Sequence, residues 1–230
     1  MLHSRSGIRI WDFPTRLFHW ALAVCVIGAY VSVKLGGLYM DWHVRFGLAT
    51  LGLIVFRVIW GVVGPHYARF ATFVRGPGAI KGYLQGGVTA AGHNPLGALS
   101  VIAMLALIGF QAVSGLFVSD DIMTQGPLYG RFDEGLSSWF SLWHHRNEWI
   151  IVGLVALHIL AIVWYAVIRR RRLVGVMITG DARPHDVPPG TPPAEDGPMT
   201  WLRAIIIAAA ATALVLWIRS LEIVADFSFS

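Results

Sequence analysis

Charge is scarce in this chain. Asp, Glu, Lys and Arg make up 13% of its 230 residues, against 56% apolar residues, and the mean hydropathy is +0.62. A water-soluble domain carries about twice that share of charge, so an ordinary solvated exterior is excluded. Cysteine is nearly absent, with Cys25 alone in the first apolar run. This rules out a disulfide framework, a cysteine-rich zinc or iron–sulfur centre and the C-x-x-C-H motif of covalent cofactor attachment. Gly-rich phosphate loops and a spaced Ser-His-Asp set are also missing.

Long apolar runs are abundant. Five are drawn from the sequence, Phe13–Leu35, His43–Val63, Pro95–Val118, Trp149–Ile168 and Trp201–Ile218, each near the ~20 residues a helix needs to cross a bilayer. The fold class expected is therefore an all-α membrane protein. The start lacks the combination of basic flank, short apolar core and small-residue cleavage site, so the first helix is expected to be retained.

Basic residues give the topology. Arg5, Arg9 and Arg16 precede or open the first run, Arg69, Arg75 and Lys81 lie between the second and third, and Arg169–Arg172 follow the fourth. All three segments fall on one side, which the positive-inside rule makes cytoplasmic. Five spans then place the N-terminus inside, on the cytoplasmic side, and the C-terminus outside. The pI near 9.8 reflects these flanks and does not point to nucleic acid. Lys34, Asp41 and an acidic stretch with Asp120, Asp121, Asp133 and Glu134 lie on the opposite side. Residues 181–200, rich in Pro, Gly and Asp, read as a flexible linker to a C-terminal helix over 201–219.

Histidines carry the chemistry. His144 and His158 are 14 residues apart, which on a helix leaves them about 40° apart in azimuth and roughly 21 Å apart in height. His145 falls on nearly the opposite side. His43 opens the second run at the depth of His144, and His19 lies near the cytoplasmic start of the first, at the depth of His158. Neutral imidazole is a good iron ligand, so the spacing predicts two non-covalent haem b groups, His43 with His144 outside and His19 with His158 inside. A proton relay or a metal transporter would want acids or thiolates along the same path, and Asp41 and Glu148 lie only at its outer edge. Gly47 and Gly153 offer places for a porphyrin face to approach the backbone. Arg16, Arg45 and Arg146 are near enough to the ligands to pair with haem propionates. Most of the tryptophans fit interfacial belts without any cofactor.

Together R-L-F-H-W at Arg16–Trp20, D-W-H-V-R-F-G at Asp41–Gly47, G-H-N-P-L-G at Gly92–Gly97 and the helix ending V-A-L-H at Val155–His158 resemble the bacterial cytochrome b561 family. The likeness is greatest to the branch that includes the b-type cytochrome subunit of nickel–iron hydrogenases. It covers residues 8–180 and implies a four-helix haem-binding bundle, iron ligands at His19, His43, His144 and His158, and a quinone as membrane partner. The fifth helix falls outside the pattern. The tandem His144–His145 leaves the outer ligand ambiguous by one residue. His93 could touch a quinone headgroup or an inner haem propionate, while Gly-His-Asn-Pro also reads as a helix start with Asn94 as cap.

The function expected is electron transfer between a periplasmic redox protein, a c-type cytochrome or a dehydrogenase or hydrogenase subunit, and the quinone pool. Residues 119–138 are the expected docking surface. One alternative, implied by some members of the family, is a stand-alone superoxide:quinone oxidoreductase, with Lys34, Arg45, Arg131 and Arg146 as a positive funnel. Another is an accessory or assembly subunit of a larger membrane redox complex.

Overall fold

The computed structural model describes residues 7–86, 91–120 and 124–222. Arg5 of the basic flank and Asp121 of the acidic stretch lie outside the described residues. Among the described residues eight α-helices run in order, α1 (Phe13–Leu35), α2 (Met40–Val63), α3 (Phe70–Phe73), α4 (Pro77–Leu84), α5 (Pro95–Ser114), α6 (Glu134–Val167), α7 (Leu173–Thr179) and α8 (Pro198–Arg219). Two short strands, β1 (Ile8–Arg9) and β2 (Asp181–Ala182), pair antiparallel.

Of these helices, α1, α2, α5, α6 and α8 are long and apolar enough to cross a membrane. Their outward faces carry large apolar side chains, such as Leu17, Val24 and Val31 on α1 and Leu157, Leu160 and Trp164 on α6, each about half to two-thirds exposed. In water such stripes would drive association, whereas in a bilayer they face lipid. The chain is a multi-pass membrane protein. All five spans have one end at the arginine-rich side, called here the basic end, and the other at the opposite end.

Helix starts follow capping chemistry. The Asp12 carboxylate accepts from the Thr15 amide and hydroxyl, both at 2.8 Å, and Pro14 sits in the first turn of α1. Asn94 accepts from the Gly97 amide at 2.8 Å, with Pro95 opening α5, as the Gly-His-Asn-Pro order predicts. The cap of α6 differs from expectation. Asp133 accepts from the Leu136 amide at 3.0 Å, so the helix begins at Glu134 rather than Trp149. Hydropathy marks only the part of a helix inside lipid, and 34 residues make a helix of roughly 51 Å, which outruns a ~30 Å hydrocarbon core.

The bundle is made of two pairs joined by α2. α1 packs along α2, α5 along α6, and α2 contacts α5 on one side and α8 on another, while α1 and α6 make little contact. Gly28 permits the first pairing, because a Cβ there would meet the Phe46 ring at 2.6 Å. Phe18, Phe56, Trp60, Ala204 and Ala211 bury the seam of α1, α2 and α8. Ile54, Ile108 and Ile151 tie α2, α5 and α6.

The segment after α7 departs from its composition. It is folded against the basic end as a strap. Gly180, at φ +86°, lets its carbonyl accept from the Ile10 and Trp11 amides at 2.8 and 3.2 Å, and a Cβ would lie 2.7 Å from the Trp11 carbonyl oxygen. Arg9 pairs with Asp181 at 2.6 Å and with Asp196, the Ala194 amide donates to the Arg9 carbonyl at 2.7 Å, and the Tyr67 hydroxyl donates to the Pro192 carbonyl at 2.7 Å. These partners are far apart in sequence, so composition alone could not reveal them.

Candidate functional site

The four histidines meet as two facing pairs. His43 and His144 lie with ring centroids 6.2 Å apart toward the opposite end, and His19 and His158 lie 6.5 Å apart toward the basic end. A metal–nitrogen bond of about 2 Å on each side plus about 1.2 Å from each nitrogen to its ring centre gives about 6.4 Å for two imidazoles sharing one metal. Among the described residues no group of three or more His, Cys, Asp or Glu side chains could hold a metal ion. The pairs therefore suit a metal that brings its other ligands with it, as a haem does through its porphyrin nitrogens.

Hydrogen bonds orient the pair at the opposite end. His43 Nδ1 lies 2.9 Å from the Ala29 carbonyl oxygen of α1. A carbonyl only accepts, so Nδ1 carries the proton and the Nε2 lone pair is free to ligate. Ser114 Oγ donates to the Gln111 carbonyl at 3.1 Å and lies 3.0 Å from His144 Nδ1. With its proton so placed, the hydroxyl accepts from His144 Nδ1–H and leaves that Nε2 free as well. The Gln111 side chain donates to the His144 carbonyl at 3.1 Å and accepts from Asn147 at 2.9 Å. Asn147 and Ser114 are almost fully buried. Sequence reasoning missed Gln111, Ser114 and Asn147; the signal available was Gln111 and Ser114 in the otherwise largely apolar α5, whereas Asn147 sits in a polar run of α6.

At the basic end His19 Nδ1 is buried with no hydrogen-bond partner among the described residues, as are His93 Nδ1, Arg16 Nε and Arg57 Nη1. His93 lies between the tilted rings of Trp11 and Phe73, at 4.7 and 4.6 Å between ring centres. Burial, with the nearby Arg57 and His19 charges, pushes its imidazole down to about 3, so it is neutral in the folded protein. Arg16 donates from Nη1 to the Ile178 carbonyl at 2.5 Å and lies over the Phe13 ring at 5.2 Å. Arg57, which sequence reasoning did not single out, is 3% exposed.

His144 faces His43, as the helix spacing predicts, and His145 is exposed. Other expected contacts are arranged differently. Arg45 and Arg146 lie over the rings of Trp42 and Trp143, at 5.1 and 5.6 Å. Open space surrounds the position a Cβ would take at Gly47 and Gly153, but only Gly47 shares a face with a ligand, about 40° from His43. Gly153 is nine residues from His144, about 180° round α6, and is exposed. It faces away from the first ligand of its own helix.

Two facing imidazole pairs lie inside an apolar helical bundle, a geometry that suits a non-covalent haem. The chain belongs to the prokaryotic cytochrome b561 family, whose pattern matches residues 10–180. It is 23% identical over 220 residues to the probable Ni/Fe-hydrogenase B-type cytochrome subunit of Azotobacter chroococcum mcd 1, covering 78% of this chain and 90% of that protein. A protein of the same description from Bradyrhizobium diazoefficiens is 25% identical over 239 residues, covering 80% and 89%. One from Rhizobium leguminosarum bv. viciae is 23% identical over 218 residues, covering 77% and 90%. No solved structure matches the chain. The protein is thus a membrane b-type cytochrome that transfers electrons.

Proposed function

We propose that the chain is a dihaem cytochrome b that passes electrons between a periplasmic redox protein and the membrane quinone pool. The observation that carries this reading is the occurrence of two imidazole pairs, each near the spacing for one shared iron, at two depths of one bundle. His19 and His158 would hold one haem b, and His43 and His144 the other. When bound, haem iron supplies one-electron exchange between its ferric and ferrous states.

The residues of the chain set the terms of that exchange. The Ala29 carbonyl, and Ser114 with its hydroxyl proton held by the Gln111 carbonyl, fix the imidazoles of His43 and His144 in one tautomer and orientation. The basic end lies in the cytoplasm of a bacterium by the positive-inside rule, so His43 and His144 lie nearer the periplasm. The relatives' description supports a hydrogenase as the periplasmic partner, with a c-type cytochrome or another dehydrogenase as the variants of the same role. Docking falls to the acidic stretch 119–138, in which Asp133 and Glu134 open α6. A stand-alone superoxide:quinone oxidoreductase finds less support, because Lys34 of the positive funnel is paired with Glu148 at 2.5 Å and Arg131 donates to the Leu221 carbonyl.

Proteoliposomes loaded with quinol test the reading. Quinol should reduce both haems, an external cationic cytochrome c should reoxidise them, and His43→Ala should block the external step while one haem still reduces. No reduction by quinol would overturn it. Asp133→Asn with Glu134→Gln, which keeps an α6 cap, should weaken the external step and flatten its salt dependence; a rate indifferent to both would remove this stretch as the docking surface.

A further inference from the structure

We infer that Arg57 anchors a propionate carboxylate of the haem held by His19 and His158, an assignment that rests on the dihaem reading above. Arg57 lies within the apolar α2 span, 3% exposed, with Nη1 buried and unpartnered and its guanidinium over the Phe70 ring at 4.8 Å. A guanidinium sealed in a bilayer without a counter-charge is costly, and such groups face a functional partner.

Its place on α2 says where that partner is. Arg57 is 14 residues from His43, the same interval that separates His144 from His158, so it shares the face of His43 about 40° round and roughly 21 Å deeper. Where α6 carries its second ligand, α2 carries an arginine. Arg57 lies six residues from the α2 end at Val63, and His19 lies six from the α1 start at Phe13, so both are roughly 9 Å inside the basic end.

The surroundings are rich in unpartnered donors. Four of the buried side-chain atoms without a partner among the described residues, Arg57 Nη1, Arg16 Nε, His19 Nδ1 and His93 Nδ1, are nitrogens at this end of the bundle. His93 lies within electrostatic reach of both Arg57 and His19. The acid that acts on Arg57 is Asp12, and its oxygens are taken up by the Thr15 amide, the Thr15 hydroxyl and Trp60 Nε1. Among the described residues, Arg57 therefore has no hydrogen-bonded carboxylate. A haem b brings two, and the guanidinium fork matches a carboxylate with paired charge-assisted bonds. Its charge also favours the ferrous over the ferric state of the adjacent iron.

The test uses the purified holoprotein in detergent, with haems counted and each midpoint titrated; the basic-end haem is the one that survives in His43→Ala. Arg57→Gln should shift the redox equilibrium of that haem about tenfold toward the oxidised form, a fall of about 59 mV for one electron, and leave the other haem unmoved. Arg57→Lys should recover most of the shift. A second arm alters the ligand instead. Apoprotein reconstituted with haem b or with its dimethyl ester should prefer haem b at this site by about tenfold in the wild type, and Arg57→Gln should abolish the preference. Two bound haems with unmoved midpoints, or a wild type indifferent to esterification, would overturn the inference while leaving the dihaem reading intact. A wild type that binds no haem would overturn both.

Discussion

Replacing Ser114 with alanine removes one oxygen from a fully buried position and leaves the fold nearly unchanged in volume. The consequence falls on His144, whose Nδ1–H loses its acceptor 3.0 Å away. An orphaned buried donor costs about 1–3 kcal/mol. Loss of a partner that orients a metal-ligating histidine lowers affinity about 10- to 100-fold, which is about 1.4–2.8 kcal/mol. The two routes agree, so Ser114→Ala should weaken the haem at His43 and His144 by one to two orders of magnitude. The freed imidazole is also a poorer electron donor, so the midpoint of that haem should rise. His19 and His158 have no contact with Ser114, and their haem is the internal control. Titration of haem into apoprotein, followed by a redox titration of each centre, reads both effects. An unchanged affinity and midpoint at His43 and His144, or an equal change at both centres, would refute the reasoning.

Gly47→Leu meets open space in the protein alone and should leave the apoprotein folded, yet lower haem occupancy at His43 and His144 by at least half; Gly153→Leu should keep full occupancy, and pyridine haemochrome counts distinguish the two. Asp12→Ala removes the α1 cap and an acceptor of Trp60 Nε1, and should cost about 2–3 kcal/mol, read as a lower melting temperature in detergent with an unaltered haem spectrum below the transition.

The paired histidines were legible because a helix turns every residue into a known angle and height, and 14 residues is close to four full turns. The five spans were legible because lipid demands long apolar runs. Three things were hidden, each for a physical reason. The amino-terminal turns of α6 lie beyond the apolar run that hydropathy detects, so Glu134 was not visible as its start. The strap of residues 181–196 has the composition of a flexible linker, and it is held by Arg9, Tyr67 and the Trp11 backbone, partners more than a hundred residues away. The hydrogen bonds that orient His144 depend on which faces of α5 and α6 meet, which a pattern within one helix does not encode. Arg57 was in plain view as a charge inside an apolar run, and its meaning came only from its depth relative to His19.

The most direct test of the account is a reduced-minus-oxidised spectrum with a pyridine haemochrome count on the purified protein, for wild type, His43→Ala and His158→Ala. The account predicts two haems b per chain in the wild type and one in each variant, with different midpoints in the two variants because each has lost a different centre. A wild type without haem, or two variants that lose the same centre, would contradict it.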